Sequence, residues 1–448
     1  MTASIKLGAP VAPPAERPRL FLLSALPPQR NGLADYIAEY LDPLARDYRL
    51  VLVADSGIAK DVAAHYAGAP FEVIDEARFG ARMPDEDSRI LYNLGNNRDC
   101  IFMLDYMHRY PGTVILHDIS LFYLHQIMLQ QQRANSMMGR LLLEDGFKLP
   151  DHCLNSDGSL ASSPGMAYQE CLMVRRVVES ARSVVVHSGY AHRRALGGVT
   201  DVGNPNSLPR KFCRMPHFVL PPPEIGNAES AATLARFGVR PDDFVMVVPG
   251  FLTGNKMLYE VLVAYRRAKV RHPQIKLVYA GEERPDEYPI SEKIELLWPD
   301  GDGPVVTGYL SGDELDICLN RADLSFVLRY PTYGETSGIL PRAVMGGGRV
   351  VTVDIGSYPE FESDQIERVA VGPGLPAALE ASIDRAVAAK PAEAPRLAKQ
   401  TEARRRTAAM APGALYGSLR NAIEQGVQGM QAPVAAAAVA ANGITVSA

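Results

Sequence analysis

Residues 324–354 read LSFVLRYPTYGETSGILPRAVMGGGRVVTVD. The two ends of this segment are short, continuous apolar runs, which is typical of strands buried on both faces of a sheet. Between them lies a loop with Pro and Gly, followed by an apolar helical pattern. Pro341 is tolerated in a helix only near its first turn. We therefore predict a strand–loop–helix–strand unit whose helix begins close to Gly338.

The same alternation of apolar runs and helical patterns extends over most of the chain. Continuous apolar strands joined by helices indicate buried parallel sheets, so the predicted fold class is α/β with two Rossmann-like doubly wound domains. The predicted strands of the first half are RLFLLSAL (19–26), RLVLVAD (49–55), RILYNL (89–94), TVILHD (113–118) and SVVVHS (183–188). Those of the second half are FVMVVPG (244–250), KLVYAGE (276–282), PVVTGYL (304–310), LSFVLRY (324–330) and RVVTVD (349–354).

A Pro-rich stretch, HFVLPPPEIGNAES (217–230), separates the two sets of strands. Three consecutive prolines continue neither a helix nor a central strand, so we place a linker near residues 219–228. The helical pattern GALYGSLRNAIEQ (413–425) predicts a last helix that returns to the first domain. The predicted divisions are a disordered tail (1–18), an N-terminal domain (19–219), a C-terminal domain (220–400), a returning helical segment (401–426) and a second disordered tail (427–448).

The composition is that of a soluble globular protein. Of the 448 residues, 47% are hydrophobic and 22% charged, and the net charge of −5 gives no strongly basic footprint for nucleic acid. The five cysteines form no CxxC pair, which favours reduced thiols. The N-terminus has no apolar core of a signal peptide, and no apolar run of about 18 residues is present. We expect a cytoplasmic protein.

Polar, Gly-rich clusters follow nearly every predicted strand. In open α/β sheets, ligands bind outside the carboxyl ends of the strands. Two such edges that face each other would build one cleft between two domains. In the first domain the clusters are PPQRNG (27–32), NLGNN (93–97), HD (117–118) and HS (187–188); in the second they are GFLTGNK (250–256), GEE (281–283), GYLSGDE (308–314) and RYPTYGE (329–335).

The opening segment suggests a phosphate site. A helix that begins near Gly338 leaves the backbone N–H groups of residues 336–340 unpaired, and such groups attract anions. Glu335 would repel a phosphate and is better suited to accept hydrogen bonds from sugar hydroxyls. A plain connection capped by Thr336 or Ser337 is the alternative.

Three further charged or titratable residues stand at strand ends, each with two interpretations. Lys256, which we expect to open a helix, could pair with a diphosphate or be a solvated lysine. Arg329 ends a buried strand and needs a partner, either a carboxylate such as Glu335 or a ligand phosphate. His117 could contact a ligand or be structural, and its spacing from His125 gives little support for a metal site.

Several common motifs are missing. No GxGxxG follows the first strand, and neither GxxxxGK[ST] nor GxSxG occurs, so a dinucleotide site, a P-loop and a hydrolase elbow are disfavoured. No Asp-x-Asp ends a strand, so we expect neither a metal nor another cofactor.

Taken together, the motifs resemble the retaining GT-B glycosyltransferases of family 4, in particular those of bacterial envelope and polysaccharide clusters. The resemblance runs from about Arg19 to Glu424. It is carried, in order, by PPQRNGLADY, YNLGNN, ILHDISLFYLH, VVVHSGYAHRR, GFLTGNK, VTGYLS, RYPTYGETSG and VVTVDIGSYPEF.

The resemblance implies a GT-B fold, in which the second domain binds a nucleoside diphosphate sugar and the first binds the acceptor. It implies catalytic roles for His117, Glu335 and Lys256, with His117 beside the transferring sugar and Lys256 at the diphosphate. The donor-binding residues it implies are Asn31, Gly32, Phe251, Asn255, Lys256, Tyr309, Arg329, Glu335, Thr336, Ser337 and Gly338. The acceptor-side residues are Asn96, Asn97 and Asp118.

Two positions depart from the family pattern. The family usually has an arginine five residues before the lysine, where this chain has Phe251, and we expect Arg329 to supply the missing charge. The second glutamate of the family, which meets the ribose, falls at Ala343.

The leading hypothesis is a retaining, metal-independent hexosyltransferase (EC 2.4) that transfers a sugar to a hydroxyl acceptor such as a glycan or a lipid-linked glycan. The alternatives are a catalytically degenerate GT-B binding protein and a sugar-nucleotide epimerase or phosphorylase. The arginines of VRRVVESARS (174–183) and GYAHRRAL (189–196) would permit peripheral contact with anionic lipid at the inner face of the membrane, or belong to solvated helix faces.

Overall fold

Two parallel sheets, each with helices between successive strands, make up the computed structural model, which describes residues 17–82, 88–145, 155–160, 171–198, 211–221, 226–389 and 393–428. The first sheet has the strand order β3-β2-β1-β4-β5-β6-β7, and the second has the order β10-β9-β8-β11-β12-β13. All strand pairs in these described ranges are parallel. The predicted α/β class with two doubly wound domains is confirmed.

The first domain contains seven strands and eight helices within the described ranges. The strands are β1 (Arg19–Leu23), β2 (Arg49–Ala54), β3 (Glu72–Asp75), β4 (Arg89–Leu94), β5 (Thr113–Leu116), β6 (Ser183–Val186) and β7 (Phe212–Arg214). The helices are α1 (Gly32–Asp47), α2 (Ala59–His65), α3 (Glu76–Arg82), α4 (Ile101–Arg109), α5 (Phe122–Gln131), α6 (Met138–Glu144), α7 (Arg175–Ser180) and α8 (Gly189–Gly197).

The second domain follows helix α9 (Asn227–Arg236). Its strands are β8 (Phe244–Pro249), β9 (Ile275–Ala280), β10 (Val305–Val306), β11 (Leu324–Val327), β12 (Arg349–Val353) and β13 (Ile366–Val369). Its helices are α10 (Leu258–Arg271), α11 (Ile290–Leu297), α12 (Gly312–Arg321), α13 (Ile339–Met345), α14 (Leu375–Ala388) and α15 (Glu393–Thr407), and the last helix of the chain is α16 (Pro412–Gln428). Short 3-10 turns are Arg98–Cys100, Asn135–Met137, Gly254–Lys256, Tyr358–Glu360 and Ala408–Met410.

All ten predicted strands are present, and three further strands were not predicted. The missed strands β3, β7 and β13 lie at sheet edges and carry few buried residues, so they lack the apolar run of a central strand. The run PVVTGYL was predicted too long, because its strand keeps only two residues and Gly308 follows with a positive φ of 74°.

The central strands are largely apolar because both faces of each sheet are covered. Along β1, Phe21 and Leu23 pack into a cluster on one face, whereas Leu20 and Leu22 pack into a cluster on the other. Successive side chains of a strand point to opposite faces, so a strand buried on both faces needs apolar residues at every position.

Helix α16 returns to the first domain, as predicted. Leu419 and Ile423 pack in the same cluster as Leu20 and Leu22 of the first sheet. The Glu424 carboxylate forms an ion pair with Arg89, at 3.0 Å. By contrast α15 packs against α13 of the second domain, so the chain crosses between Thr407 and Pro412.

Both predicted tails lie almost entirely outside the described residues, as do Cys153 and part of the predicted linker at 222–225. Among the described residues, no helix combines the length and the hydrophobicity required to cross a bilayer.

Candidate active site

The two domains meet along the carboxyl ends of their strands, and backbone contacts hold them together. The N–H groups of Ile119 and Ser120, which follow β5, both donate to the carbonyl oxygen of Tyr333, at 2.8 Å each. Tyr333 belongs to the loop after β11. Loops that follow strands of the two sheets therefore touch directly across the cleft.

A second contact between the domains involves Glu360. Its carboxylate accepts hydrogen bonds from the N–H groups of Gly189 (2.7 Å) and Tyr190, at the beginning of α8. A carboxylate is stabilised at a helix N-terminus, where the backbone N–H groups lack partners. With both contacts made, a cavity of about 330 Å³ lies between the domains.

Side chains of both domains line this cavity. The first domain contributes His187, Ser188 and His217, and the second contributes Thr336, Ser337 and Tyr358. The expected cleft between two strand edges is therefore present.

Glu335 is held by its own loop and by Arg329. Its Oε2 accepts from the N–H of Tyr333 (2.6 Å) and from the hydroxyl of Thr332 (3.1 Å). Its Oε1 lies 3.0 Å from Nε of Arg329. The two atoms are close but not aligned as a hydrogen bond, and both are buried without a hydrogen-bond partner. Oε1 is thus a buried acceptor whose hydrogen-bonding capacity is not used within the protein.

Of the two partners that the sequence left open for Arg329, the structure shows the carboxylate. Burial opposes the charge on Arg329, but the neighbouring Glu335 and Tyr358 more than offset it, so the pKa of Arg329 is raised above its ordinary value. Glu335 balances the charge of Arg329 within the protein, and the expectation that Arg329 replaces the missing arginine of the family pattern stays a prediction.

Lys256 lies close enough to Arg329 for the two charges to interact. We expected Lys256 to open a helix, but it does not. It ends the 3-10 turn Gly254–Lys256, and α10 begins two residues later after Met257, which has a positive φ of 57°. The ammonium donates to the carbonyl oxygen of Pro249, at 2.6 Å. Burial, and then Arg329, lower the pKa of Lys256 well below its usual value.

The helix after the Gly-rich loop begins as predicted but is partly capped. Helix α13 begins at Ile339 with Gly338 as its N-cap, which places Pro341 in the first turn. The N–H of Leu340, which we expected to be free, donates to the hydroxyl of Ser337, at 3.1 Å. The hydroxyl of Thr336 is buried without a hydrogen-bond partner. The predicted phosphate site thus has fewer free N–H groups than expected and one additional hydroxyl.

His117 lies at the carboxyl end of β5 within a group of aromatic rings. Its Nε2 lies 2.7 Å from Oδ1 of Asn93, and its Nδ1 lies 3.2 Å from Nε2 of His187. The ring of Tyr36 packs edge-on against it, with ring centroids 4.5 Å apart. Burial lowers the pKa of His117 well below its usual value, with smaller effects from His187 and His217.

Asp118 lies in the same interdomain region as Glu335. Its Oδ2 accepts from the N–H of Asn96, at 2.6 Å. Burial and then the Glu335 charge raise the pKa of Asp118 to about 7, although the Asn96 hydrogen bond and Arg329 act in the opposite direction. Asp118 can therefore exchange a proton near neutral pH.

The asparagines predicted on either side of the site shape its loops. Asn31 caps α1 by accepting from the N–H groups of Leu33 and Ala34. The side chain of Asn96 accepts from the N–H of Leu124, and that of Asn97 caps the turn Arg98–Cys100. Gly32 is exposed, and a Cβ there would meet nothing within 4 Å, so space for a ligand is left above this helix start.

The remaining donor-side residues lie on loops of the second domain. The Asn255 side chain accepts from the Thr253 hydroxyl. The guanidinium of Arg284 lies 4.8 Å from the centre of the Phe251 ring, and that of Arg30 from the first domain lies 4.7 Å from the centre of the Tyr309 ring. Arg284 thus places a cation beside the position where the family pattern has its arginine.

Ala343 does not reach the cleft. It is 1% exposed and packs in the core of the second domain. The neighbouring Arg342 pairs with Asp316, at 2.7 Å. Neither residue supplies a carboxylate for a ribose.

No group of three or more His, Cys, Asp or Glu side chains arranged to hold a metal ion occurs within the described ranges. Metal independence remains a prediction.

Four residues that the structure brings to the site had no role predicted from the sequence: His187, His217, Arg284 and Glu360. A signal existed for His187. Strands β5 and β6 pair with Val114 opposite Val184, so His117 and His187 each lie three residues beyond paired positions. For Arg284 and Glu360 the sequence has no such signal, because loops bring them into place.

Comparisons with known proteins agree with this architecture. Residues 232–405 match the sequence model of the family Glycosyl transferases group 1. The search of curated protein sequences gives no match.

Solved structures resemble the chain over nearly its whole length. HepE from Anabaena, in complex with UDP and glucose, is 13% identical, has a TM-score of 0.59, and covers 91% of this chain and 100% of its own. Sucrose-phosphate synthase from Thermosynechococcus elongatus is 16% identical, with a TM-score of 0.58 and coverage of 93% and 99%. WaaG, a glycosyltransferase involved in lipopolysaccharide biosynthesis, is 13% identical, with a TM-score of 0.56 and coverage of 90% and 98%. The chain therefore has the fold of the GT-B glycosyltransferases, and its second domain carries the match to the glycosyl transferases of group 1.

Proposed function

We propose that this protein is a family 4 glycosyltransferase that transfers a sugar from a nucleoside diphosphate sugar to a hydroxyl acceptor, with retention of configuration and without a metal ion. One observation carries the proposal. Lys256, Arg329 and Glu335 of the second domain lie close to one another and to Asp118 of the first domain, which follows His117 at the end of β5.

The cations of the second domain suit a departing diphosphate. Lys256 and Arg329 lie close enough for the charge of one to affect the other. An anion bound beside them would favour the charged form of Lys256 and offset the repulsion. Fixed donors of this kind stabilise the charge that develops in the transition state, by about 3–4 kcal/mol for a well-placed donor. The Thr336 hydroxyl, which has no hydrogen-bond partner, is a further donor.

The remaining groups would position the sugar and the acceptor. Glu335 keeps Oε1 free of hydrogen bonds and could accept one from a sugar hydroxyl. His117, on the opposite side of the cleft, would lie beside the transferring sugar. We assign no protein nucleophile; a departing phosphate oxygen would take the proton of the acceptor hydroxyl.

The structural neighbours support a nucleotide-sugar donor. HepE is described in complex with UDP-glucose and with UDP and glucose, and WaaG acts in lipopolysaccharide biosynthesis. We propose a hexosyl donor, a glycan or lipid-linked acceptor, and a cytoplasmic site of action in envelope polysaccharide synthesis, with peripheral contact to the inner face of the membrane.

Transfer from a panel of nucleotide sugars tests the proposal. Lys256→Ala and Glu335→Ala should each lower kcat by about a hundredfold or more, because each removes a group that touches the donor. Lys293→Ala is the matched control, since Lys293 packs on the rings of Tyr259 and Tyr288 on the surface. Full activity in either site variant would refute the assignment.

A catalytically degenerate binding protein is the second candidate, and it is favoured by the burial of Ala343, which leaves no carboxylate for the ribose at that position. Calorimetric titration with UDP, ADP and GDP separates the two. Binding of one nucleotide in the micromolar range supports the transferase, and binding of none supports the alternative. Conversion of a sugar nucleotide without an acceptor would indicate the epimerase.

A further inference from the structure

A line of hydrogen-bonding atoms runs through the buried pair of His117 and His187. Oδ1 of Asn93 lies 2.7 Å from Nε2 of His117. Nδ1 of His117 then lies 3.2 Å from Nε2 of His187, and Nδ1 of His187 lies 2.9 Å from the carbonyl oxygen of Met215. The line thus has three contacts, and an oxygen atom stands at each end.

Both end oxygens can only accept. The Met215 oxygen is a backbone carbonyl. The orientation of the Asn93 amide is fixed by its nitrogen, which donates to the carbonyl oxygen of Leu33 (3.0 Å) and to the hydroxyl of Ser24 (2.9 Å). The Ser24 hydroxyl donates its own proton to the Ala25 carbonyl, so it can only accept from Asn93. If the Asn93 amide were rotated, its oxygen would face the carbonyl oxygen of Leu33, and both of these atoms are acceptors.

The two rings carry one proton too few for these contacts. Three hydrogen bonds need three N–H groups, and two neutral imidazoles carry two. The two outer contacts, at 2.7 and 2.9 Å, use both of these N–H groups, because the oxygens of Asn93 and Met215 offer no proton. The neutral pair then has Nε2–H on His117 and Nδ1–H on His187. Two nitrogen lone pairs face each other across the remaining contact, which at 3.2 Å is the longest of the three.

We infer that the gap between Nδ1 of His117 and Nε2 of His187 is a binding site for one proton, which the pair takes up when an anion fills the adjacent cavity. The proton comes from solvent and turns two imidazoles into one imidazole and one imidazolium joined by an N–H···N bond. The pair gains one positive charge. Only the identity of the anion, a nucleoside diphosphate, rests on the proposed function.

The surroundings account for a neutral pair when no anion is bound. Burial lowers the pKa of His187 to about 3, with a smaller effect of His217. His187 lines the cavity, so an anion there would lie beside the pair and favour its charge. The titratable and charged groups described around the pair are Tyr36 of α1, His217 after β7 and Asp118 beside His117. Arg214 of β7, Tyr358 and Glu360 line the adjacent cavity together with His187.

The site assigns His187 a positioning role in transfer. It makes no direct contact with the donor through its nitrogens, which face His117 and Met215. Its proton would supply charge near the leaving diphosphate and would hold the His117 ring at a fixed angle. A charge that arrives with the anion avoids an unpaired buried cation in the free protein.

Nitrogen-15 spectra of the histidine rings in the free protein test the proton count. At pH 8 we expect His117 as the Nε2–H tautomer and His187 as the Nδ1–H tautomer. On acidification, both rings should change together in one step of a single proton. The opposite tautomer on either ring, or two independent steps, would overturn the inference.

Calorimetry of UDP, ADP and GDP in buffers of different ionisation enthalpy tests the coupling. The wild-type protein should take up close to one proton per bound nucleotide at pH 7. Its affinity should weaken with rising pH by as much as about tenfold per pH unit, the limit for one coupled proton. The terminal phosphate also titrates near pH 6, so a variant must serve as reference.

His187→Gln is that reference. A glutamine amide can donate to Nδ1 of His117 without an added proton, so the uptake should fall to near zero and the pH dependence should flatten. His125→Gln is the matched control, because His125 is buried and bonds a carbonyl, that of Leu121, outside the cavity. Equal proton uptake in His187→Gln and the wild type would overturn the coupling. If no nucleotide binds, only the proposed function fails, because the spectra of the free protein decide on the proton site.

Discussion

Glu335 and Arg329 show how the site balances internal stability against ligand binding. Their side chains are 14% and 24% exposed, so the pair is largely shielded from solvent. Oε2 of Glu335 accepts hydrogen bonds from its own loop, whereas Oε1 has no aligned hydrogen bond. A buried polar atom without a partner is costly and is often found where a ligand binds. The loop thus keeps a strong acceptor without an aligned donor, which makes Glu335 a candidate for contact with a ligand.

Asp118 should make the stability of the protein depend on pH. Its pKa of about 7 in the folded protein exceeds the ordinary value of 3.8, so the folded state binds more protons than the unfolded state between these values. The free energy of unfolding therefore falls as pH rises from 4 to 7. The Asp118→Asn variant lacks this titration. Its free energy of unfolding, relative to that of the wild type, should therefore be higher at pH 8 than at pH 4 by on the order of 3 kcal/mol. Urea unfolding of both proteins at pH 4 and pH 8 measures the difference. If the substitution changes the free energy of unfolding equally at the two pH values, the raised pKa of Asp118 is contradicted.

At the scale of the element, the central strands and the start of α13 follow from local physics. A strand covered on both faces must be apolar at every position, and a proline in a helix must stand near its first turn. These two constraints predicted β11 and β12 and placed the beginning of α13 within one residue.

The contacts within the site were less predictable. Ser337 could cap the helix or leave its N–H groups free, and only the loop conformation decides between them. Arg284 reaches Phe251 because β8 and β9 are neighbours and their loops meet. Such contacts depend on how two loops fold against each other, which residue patterns along one segment do not contain.

Helix α16 should contribute strongly to the stability of the first domain. Leu419 is fully buried against the first sheet, so Leu419→Ala would remove packed methyl groups and leave a cavity. We expect a loss of about 2–5 kcal/mol in the free energy of unfolding. Leu397→Ala on α15 is the matched control, since Leu397 is 55% exposed and should change stability by less than about 0.5 kcal/mol. Circular dichroism in urea measures both, and similar midpoints for the two variants would contradict the role of α16.

At the scale of the whole molecule, the site exists only while the cleft is closed. His117 and Asp118 come from one domain, and Lys256 and Glu335 come from the other. The loop of Tyr333 and Gly334 lies directly against Ile119 of the first domain. A change at this contact should therefore affect domain closure and ligand binding together.

Gly334→Ala should open the cleft. Gly334 has a positive φ of 79°, and a Cβ there would lie 2.6 Å from Cβ of Ile119, which is too close without a shift of one domain. Gly301→Ala is the matched control, since Gly301 has a φ of 80° and a Cβ there would meet nothing within 4 Å. Both variants should lose about 1–2 kcal/mol through backbone strain. Only Gly334→Ala should increase the radius of gyration in small-angle X-ray scattering and weaken nucleotide binding. An unchanged radius of gyration in Gly334→Ala would show that the domains are held together elsewhere, with the Glu360 contact to α8 as the next position to test.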